Sequence, residues 1–445
     1  MDTLLTNEAK RVKEPSAIGI GMLGMGVVGS GVARVLLEKG ERLASIVGRP
    51  LSLKGVLLRD PGKRRPFEVP SHLITTDVEA ILNNPEVDIV VEVMGGFTPA
   101  LDYVTKSISL GKHVATANKE MMARHGPDIL ALAHKKSVHV LFEASVAGGT
   151  PIIAPLLRDL LANDVIAIHA IINGTTNYIL TKMDQESVDF EVALREAQEL
   201  GYAEANPAND VDGTDAAYKL AILSSLAFRA RVRDTDVHRE GITRLRARDF
   251  LYARELGYTV KLMAIARKLD ASIQVRVHPV FVPDRELISK VDGVLNAVEI
   301  EADLAGRVLF HGRGAGALPT TSALIADVVD ICRSIVGNVM PVRSLTLDES
   351  VAVSPMTELQ TKYYLRLSVA DRPGVLAQIA RILGDMGISI DSVIQKTKDE
   401  VAQRAELVMM THIAKEASMQ QALQLLRDLE VIAEIGNMVR VEEWD

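Results

Sequence analysis

A chain of 445 residues has room for roughly three domains at about 150 residues each, and its 48% apolar content can give each one a core, aliphatic rather than aromatic since only 4% is Phe, Trp or Tyr. A net charge of −8 argues against nucleic acid as a main partner, and a single cysteine, Cys332, excludes an intrachain disulfide framework or a multi-cysteine metal centre and suits a reducing compartment. The opening "MDTLLTNEAKRVKEPSA" lacks the apolar centre of a secretory leader and no apolar run reaches the ~18 residues of a membrane span, so a cytoplasmic protein with no membrane and no nucleic-acid partner is expected.

From 17 to 150 short apolar strands alternate with helical stretches, the rhythm of a parallel sheet covered on both faces. "AIGIGMLG" is a strand entering a turn, and "VVGSGVARVLLEKG" is the helix that leaves it. "LSLKGVLL", "VDIVVEV", "KHVAT" and "VHVLFEA" are further strands. The basic cluster "GKRRPF" at 62–67 is too short for a nucleic-acid track. Over 151–310 the texture changes, and helices read from "FEVALREAQELG" and "RDFLYARELGYTVKLMAIARKL" mix with strands such as "IQVRVHPVFV". "HGRGAGALPTTSALIADVVDIC" is a glycine-rich loop and a helix, so 311–335 is expected to return to the first domain. The stretch 336–360 has no clear period and reads as a connector. Residues 361–445 follow strand, helix, strand, strand, helix, strand, a ferredoxin-like βαββαβ unit. The predicted class is α/β, with a Rossmann-type dinucleotide domain, an α+β domain and the βαββαβ unit.

Gly24-Met25-Gly26-Val27-Val28-Gly29 satisfies the dinucleotide fingerprint. Gly24 allows the tight turn, Gly26 lets a pyrophosphate approach the backbone, and Gly29 lets the helix pack close to its strand. The pattern follows a strand, opens a helix and begins an alternating series, the context it needs. No acidic residue stands at the usual distance of about 20 residues. The next strand ends in "LLRD", where Arg59 can hold a 2′-phosphate, so NADP is expected to be accepted as well as NAD. "VMGGFTP", with Gly95, and "TANKEM", with Lys119, should reach the carboxyl edge of the sheet where ligands of such folds bind.

"VDGTDAAYKLAIL" at 211–223 is a helix with an acid and an amine one turn apart, Asp215 and Lys219, among alanines and leucines. An i,i+4 ion pair on a wet surface, worth about 0.3 kcal/mol, would be the plain reading. A dinucleotide enzyme that oxidises an alcohol, however, must remove the hydroxyl proton while a hydride leaves. One cysteine and no clustered histidine pair argue against zinc, and Cys332 in "VVDICRSIV" reads as core packing. A lysine or a tyrosine remains, and a lysine shielded from water titrates nearer neutrality.

"GMLGMGVVGSG", "TANKEM", "FEASVAGGTPI", "INGTTNYI", "ELGYAEANPANDVDGTDAAYKLAIL" and "GRGAGALPTTSAL", in this order from Gly21 to Leu324, resemble homoserine dehydrogenase. The resemblance implies interconversion of L-homoserine and aspartate 4-semialdehyde with a nicotinamide cofactor, on the route to threonine, isoleucine and methionine. It makes 151–310 the catalytic and dimerisation domain of a homodimer or homotetramer. It places Lys219 as the acid–base residue and Lys119 as a second active-site lysine. Glu204, Asp210 and Asp215 fall where the amino acid is held, with Gly201 and Tyr202 in the same stretch and Thr175 and Thr176 near the substrate. "FEASVAGGTP" is similar to a monovalent-cation loop, for sodium or potassium, with Glu143, Val146, Gly148 and Thr150 at the matching positions. Gly316 matches a cofactor-side glycine, and Gly314 shapes that turn. Two nearby lysines lower each other's pKa while Asp215 pulls the other way, and the sequence leaves that balance open. The C-terminal unit resembles an ACT domain, whose turn Asp371-Arg-Pro373-Gly374 leaves free N–H groups for an effector's carboxylate, threonine being the expected effector. Another amino-acid semialdehyde oxidoreductase, or an inactive amino-acid sensor on the same fold, are the competing readings.

Overall fold

The computed structural model describes residues 16–339, 347–399 and 403–444, and the chain forms two compact units. The first holds residues up to Thr116, Leu132–Leu141 and a return segment from Leu324. Its strands are β1 (Ile18–Leu23), β2 (Leu51–Leu57), β3 (Ile74–Thr75), β4 (Ile89–Glu92), β5 (His113–Thr116) and β6 (Val140–Leu141). They pair in parallel in the order β3-β2-β1-β4-β5-β6. This is the doubly wound order, with its switch point between β1 and β4, where ligands bind. All six residues of β1 are buried, as a strand covered on both faces must be. Buried Glu92 ends β4, its carboxylate accepting from the Met94 N–H (2.8 Å) and the Thr116 hydroxyl (2.6 Å), which ties the ends of β4 and β5 together.

The second unit comprises Ala117–Ala131, Phe142–Ala323 and the described residues from 347 onward. Its longer strands are β7 (Val165–Ile171), β9 (Tyr258–Lys268), β10 (Ser272–Pro283), β11 (Leu295–Ala302), β12 (Gly306–Arg313), β14 (Gln360–Ala370), β15 (Ile390–Asp399), β16 (Arg404–Thr411) and β18 (Ile432–Val441). Three two-residue strands, β8 (His238–Arg239), β13 (Ala352–Val353) and β17 (Ala414–Lys415), pair at their margins. One path runs β12-β11-β7-β9-β10-β18-β14-β16-β15. Its last four strands are the ferredoxin-like unit, with the helices Val375–Asp385 and Glu416–Arg427 closing a core of Leu365, Leu367, Ile379, Leu383, Leu423 and Leu426.

That unit does not hang from a tether. β18 joins β10 in parallel through Val280↔Arg440 and Phe281↔Val441. Trp444 packs with Ile171, Met263, Val280 and Ala297, and its indole N–H donates to Glu299 (2.6 Å). Charges fill the seam. Arg440 bonds both Glu416 (2.6 Å) and Glu240 (2.8 Å), Arg366 bonds Asp249 (2.7 Å), and Arg276 bonds Glu442 (2.6 Å), which also meets His169 Nε2 (3.1 Å).

Several readings change. The stretch expected as one helix over 248–269 is the helix Ala247–Glu255, then Gly257 at φ +83°, then β9. β9 is buried almost continuously, and a strand covered on both faces shows no period to separate it from a buried helix. The helix expected from Val211 starts at Thr214, because Gly213 at φ +78° divides it from a short turn at Ala208–Val211. Of the expected connector, 340–346 lie outside the described residues and 336–337 end the helix Ala317–Gly337, while further on Asp348 bridges Ala230 and β13 pairs with β10. Among the described residues no helix is long and apolar enough to cross a membrane.

Candidate functional site

In the first unit the glycine loop follows β1 and opens the helix Val27–Glu38. Gly24 has φ +98°, and a Cβ there would meet the Val93 carbonyl at 3.0 Å. A Cβ at Gly29 would come within 2.7 Å of the Gly24 carbonyl oxygen, so both positions demand glycine. A Cβ at Gly26 would meet nothing within 4 Å, which leaves before the helix N-terminus the room a pyrophosphate needs. Met25 is buried, while Val27 and Val28 begin the helix. Past β4, Gly95 turns at φ +73°. Arg59 is exposed just beyond β2. Sequence reasoning missed Arg65, whose Nε donates to the Met25 carbonyl (3.1 Å) and whose Nη2 donates to that of Asp60 (2.6 Å). The cluster at 62–67, too short for a nucleic-acid track, has one of its arginines fastened to the glycine loop.

In the second unit the helix Thr214–Phe228 carries Asp215 and Lys219, both buried. The Lys219 ammonium donates to Asp215 Oδ2 (2.7 Å) and to the Ile172 carbonyl at the end of β7 (2.7 Å). Lys119, opening the helix Lys119–Lys135, pairs with Asp215 Oδ1, and its side chain is 45% exposed. One carboxylate is thus shared between a buried amine and one that reaches solvent. Burial pushes Lys219 below the ordinary lysine value; Asp215 resists, and the charge of Lys119 adds to the drop. Burial also works against Lys119, but Asp215, with Asp210 and Glu204 behind it, holds it above that value. Burial would raise Asp215, yet the two lysines keep its carboxyl well below the usual range. Asp210 is raised, by burial and by the charge of Asp215.

Asn173 organises these groups, and sequence reasoning passed over it. Its Nδ2 donates to Asp210 (2.7 Å) and to Asp215 (2.9 Å), while its Oδ1 caps the helix Gly174–Glu186 by accepting from the Thr176 N–H (2.9 Å). An Asn directly before a helical stretch is itself an N-cap signal in the sequence. Thr176 is buried in that cap, and the Thr175 hydroxyl donates to the Tyr202 carbonyl (2.7 Å), fastening the loop that turns at Gly201 (φ +74°). Glu204 is exposed in the same loop.

The expected cation loop is a short turn, Glu143–Ser145, followed by two left-handed residues, Ala147 and Gly148. The Glu143 carboxylate accepts from the backbone N–H groups of Ile152, Ile153 and Ala154 (2.6, 3.0 and 2.7 Å). Val146 is buried, and the Thr150 hydroxyl is buried without a hydrogen-bond partner, the kind of atom a hard cation would satisfy. Gly316, at φ +120°, precedes the helix Ala317–Gly337. Asp371, Pro373 and Gly374 form a turn before the helix Val375–Asp385, with Gly374 at φ +87°. Burial pushes the Cys332 thiol up to about 12, a core cysteine rather than a nucleophile.

Comparison with known proteins bears on what this arrangement serves. Family profiles described as "Homoserine dehydrogenase" and "Homoserine dehydrogenase, NAD binding domain" match residues 151–329 and 24–143, and an ACT domain profile matches 363–431. A homoserine dehydrogenase of Synechocystis sp. is 42% identical over 433 residues, 95% of this chain and 99% of that protein. The chain belongs to the homoserine dehydrogenase family. It is an NAD(P)-dependent oxidoreductase with a C-terminal ACT domain. A crystal structure of homoserine dehydrogenase from Thiobacillus denitrificans superposes with TM-score 0.89 at 40% identity, covering 96% of this chain and 99% of that one. A hyperthermophilic archaeal homoserine dehydrogenase in complex with NADPH gives TM-score 0.60 at 27% identity, over 71% of this chain and 98% of that one.

Proposed function

We propose that Lys219 is the acid–base group of the homoserine–aspartate 4-semialdehyde interconversion in this chain. The observation that carries it is a buried amine, shifted down by its surroundings, whose partner Asp215 is shared with a solvent-reaching lysine. In oxidation the neutral amine of Lys219 accepts the hydroxyl proton of homoserine while a hydride leaves the same carbon, and a carbonyl forms. In reduction its ammonium returns the proton. The bound dinucleotide supplies the hydride acceptor or donor. Asp215 stabilises the ammonium form of Lys219 and joins it to Lys119, which reaches solvent. Glu204 and Asp210 hold the substrate ammonium, Lys119 faces its carboxylate, and Gly201, Tyr202, Thr175 and Thr176 set the loop around it.

On the cofactor side, Gly24, Met25, Gly26, Val27, Val28 and Gly29 cradle the pyrophosphate, with Gly95, Lys119 and Gly316 toward the rest of the dinucleotide. Arg59 and Arg65 supply positive charge for a 2′-phosphate, which favours NADP while admitting NAD. Glu143, Val146, Gly148 and Thr150 hold a sodium or potassium ion, chiefly through carbonyl oxygens and the unpartnered Thr150 hydroxyl. Threonine inhibits through the ACT domain, for which Asp371, Pro373 and Gly374 are the sequence's candidates, in a cytoplasmic homodimer or homotetramer. The test is a spectrophotometric assay of homoserine against a panel of hydroxy and amino acids, with kcat followed over pH. Oxidation that rises along a limb below the ordinary lysine value of 10.5 supports Lys219 as the base. A rate indifferent to pH across that range removes it.

A further inference from the structure

β7 ends at Ile171, and the next two residues attend to the two halves of one ion pair. The Ile172 carbonyl accepts from the Lys219 ammonium (2.7 Å), and the Asn173 amide donates to the partner of that ammonium, Asp215 Oδ2 (2.9 Å). The same Nδ2 also donates to Asp210 Oδ1 (2.7 Å). This buried amide has one way to sit. The Thr176 N–H donates to Asn173 Oδ1 (2.9 Å), with the Thr176 hydroxyl close by (3.0 Å), so the oxygen end is committed to the helix Gly174–Glu186. Carboxylates only accept, so they require the NH2 end. The backbone is held as well: a Cβ on Gly174 would stand 2.9 Å from the Val294 carbonyl oxygen, just before β11. Burial, and after it the charge of Asp215, push Asp210 toward the protonated acid, and the bond from Asn173 is the largest influence opposing them. A neutral amide thus holds two acids together without adding a charge. A lysine in its place would be a third cation beside Lys219 and Lys119.

We infer that Asn173 is a positioning residue that yokes the substrate-gripping Asp210 to Asp215, the partner of Lys219. The inference rests on the roles proposed above for those three groups. On that reading homoserine is held by its ammonium at Asp210 and Glu204 and gives its hydroxyl proton to Lys219, two points on one small molecule. A clamp that fixes Asp210 against the Lys219–Asp215 pair sets the span the substrate must bridge. A misplacement of about 1 Å between reacting groups can cost on the order of 100-fold in rate. Capping, the other duty of this side chain, needs only its oxygen. The two duties therefore separate by substitution.

The experiment is steady-state oxidation of homoserine by the full chain carrying Asn173→Ser, Asn173→Asp or Asn173→Ala, with dinucleotide affinity read by fluorescence titration. Ser and Asp both keep an oxygen for the cap. Ser loses the clamp, Asp turns it into an acceptor facing two acids, and Ala loses cap and clamp together. The yoke predicts kcat/KM at least tenfold down in Asn173→Ser, and lower in Asn173→Asp than in Asn173→Ala, with dinucleotide affinity within twofold of wild type in the two capped variants. If both capped variants stay within twofold in kcat/KM while Asn173→Ala falls, Asn173 is a helix cap and the yoke is overturned. A double-mutant cycle guards against a loss that comes from poor folding. In an Asp210→Ala background the yoke has already lost one end, so Asn173→Ser should cost less than threefold there. An equal cost in both backgrounds overturns the yoke and leaves Asp210 its substrate role. If Asp210→Ala alone leaves the homoserine KM unchanged, the roles on which the yoke rests fall with it.

Discussion

The molecule buries charge in two places and does so by opposite rules. At the catalytic cluster two ammoniums share one carboxylate, one amine is shifted down, and the other reaches water. At the seam the chief cations are guanidiniums held by carboxylates, and a guanidinium does not give up its proton. Arg440 grips Glu240 and Glu416, and Arg366 grips Asp249 and Glu406. Arginine stays charged under any physiological condition and fixes geometry through its fork, whereas a desolvated lysine changes its protonation readily. The same burial gives, with lysine, a group suited to moving a proton and, with arginine, a rivet.

Lys219→Ala is the sharpest way to break this contrast. Turnover should fall roughly 10²–10⁴-fold or more while dinucleotide affinity survives, as steady-state kinetics and fluorescence titration of the cofactor would read. Turnover within a few-fold of wild type would make the buried lysine a structural residue like its counterparts at the seam. Arg440→Met strikes the other region. It leaves Glu416 buried without its cation and half-exposed Glu240 without its arginine, and loss of one member of a buried pair costs about 3–5 kcal/mol. Urea unfolding should show that loss, and an unchanged midpoint would mean that the seam tolerates uncompensated charge.

Lys119→Met sharpens the comparison by moving a titration rather than abolishing activity. It removes the like charge that depresses Lys219 and gives Asp215 wholly to it. Both effects raise Lys219, so the limb of homoserine oxidation should move to higher pH; a limb that stays put or moves down contradicts the assignment. The smallest effect belongs to His278, behind the seam. Burial, then the charges of Arg440 and Arg276, push it down from 6.5 to about 3. It binds a proton on unfolding but not in the fold, so its contribution to stability is present above pH 6.5 and lost as pH falls toward 3. The slope is at most about 1.4 kcal/mol per pH unit. His278→Gln should flatten the stability profile over that window, and an unaltered slope would show that the imidazole titrates freely.

What could be read in the sequence divides along a physical line. The glycine loop and the Asp215–Lys219 spacing are local, each written within a few residues, so their geometry follows from the turn or helix they sit in. The ferredoxin-like unit was legible for the same reason, as an alternation of short periods. Asn173 was not, because its importance lies in two carboxylates far along the chain, Asp210 and Asp215. Arg65 was hidden by its company, three consecutive basic residues of which one bends back onto Met25. The seam was least legible of all. No local pattern announces that Arg440 belongs with Glu240, or Arg276 with Glu442, and β9 concealed itself by being buried on both faces.

The pairing of β10 with β18 also constrains how the protein comes into being. Val280 and Arg440 are neighbours in the sheet but are made far apart in time, on the order of ten seconds at ~5–20 residues per second of synthesis. Until β18 emerges, the margin of β10 at Val280 and Phe281 is an open edge of apolar backbone, a template for pairing with another nascent chain. Arg276 meanwhile lacks its carboxylate, which disfavours early closure of a dry core around it. Closing the catalytic sheet at this edge is therefore a long loop closure, the kind of non-local pairing that slows folding.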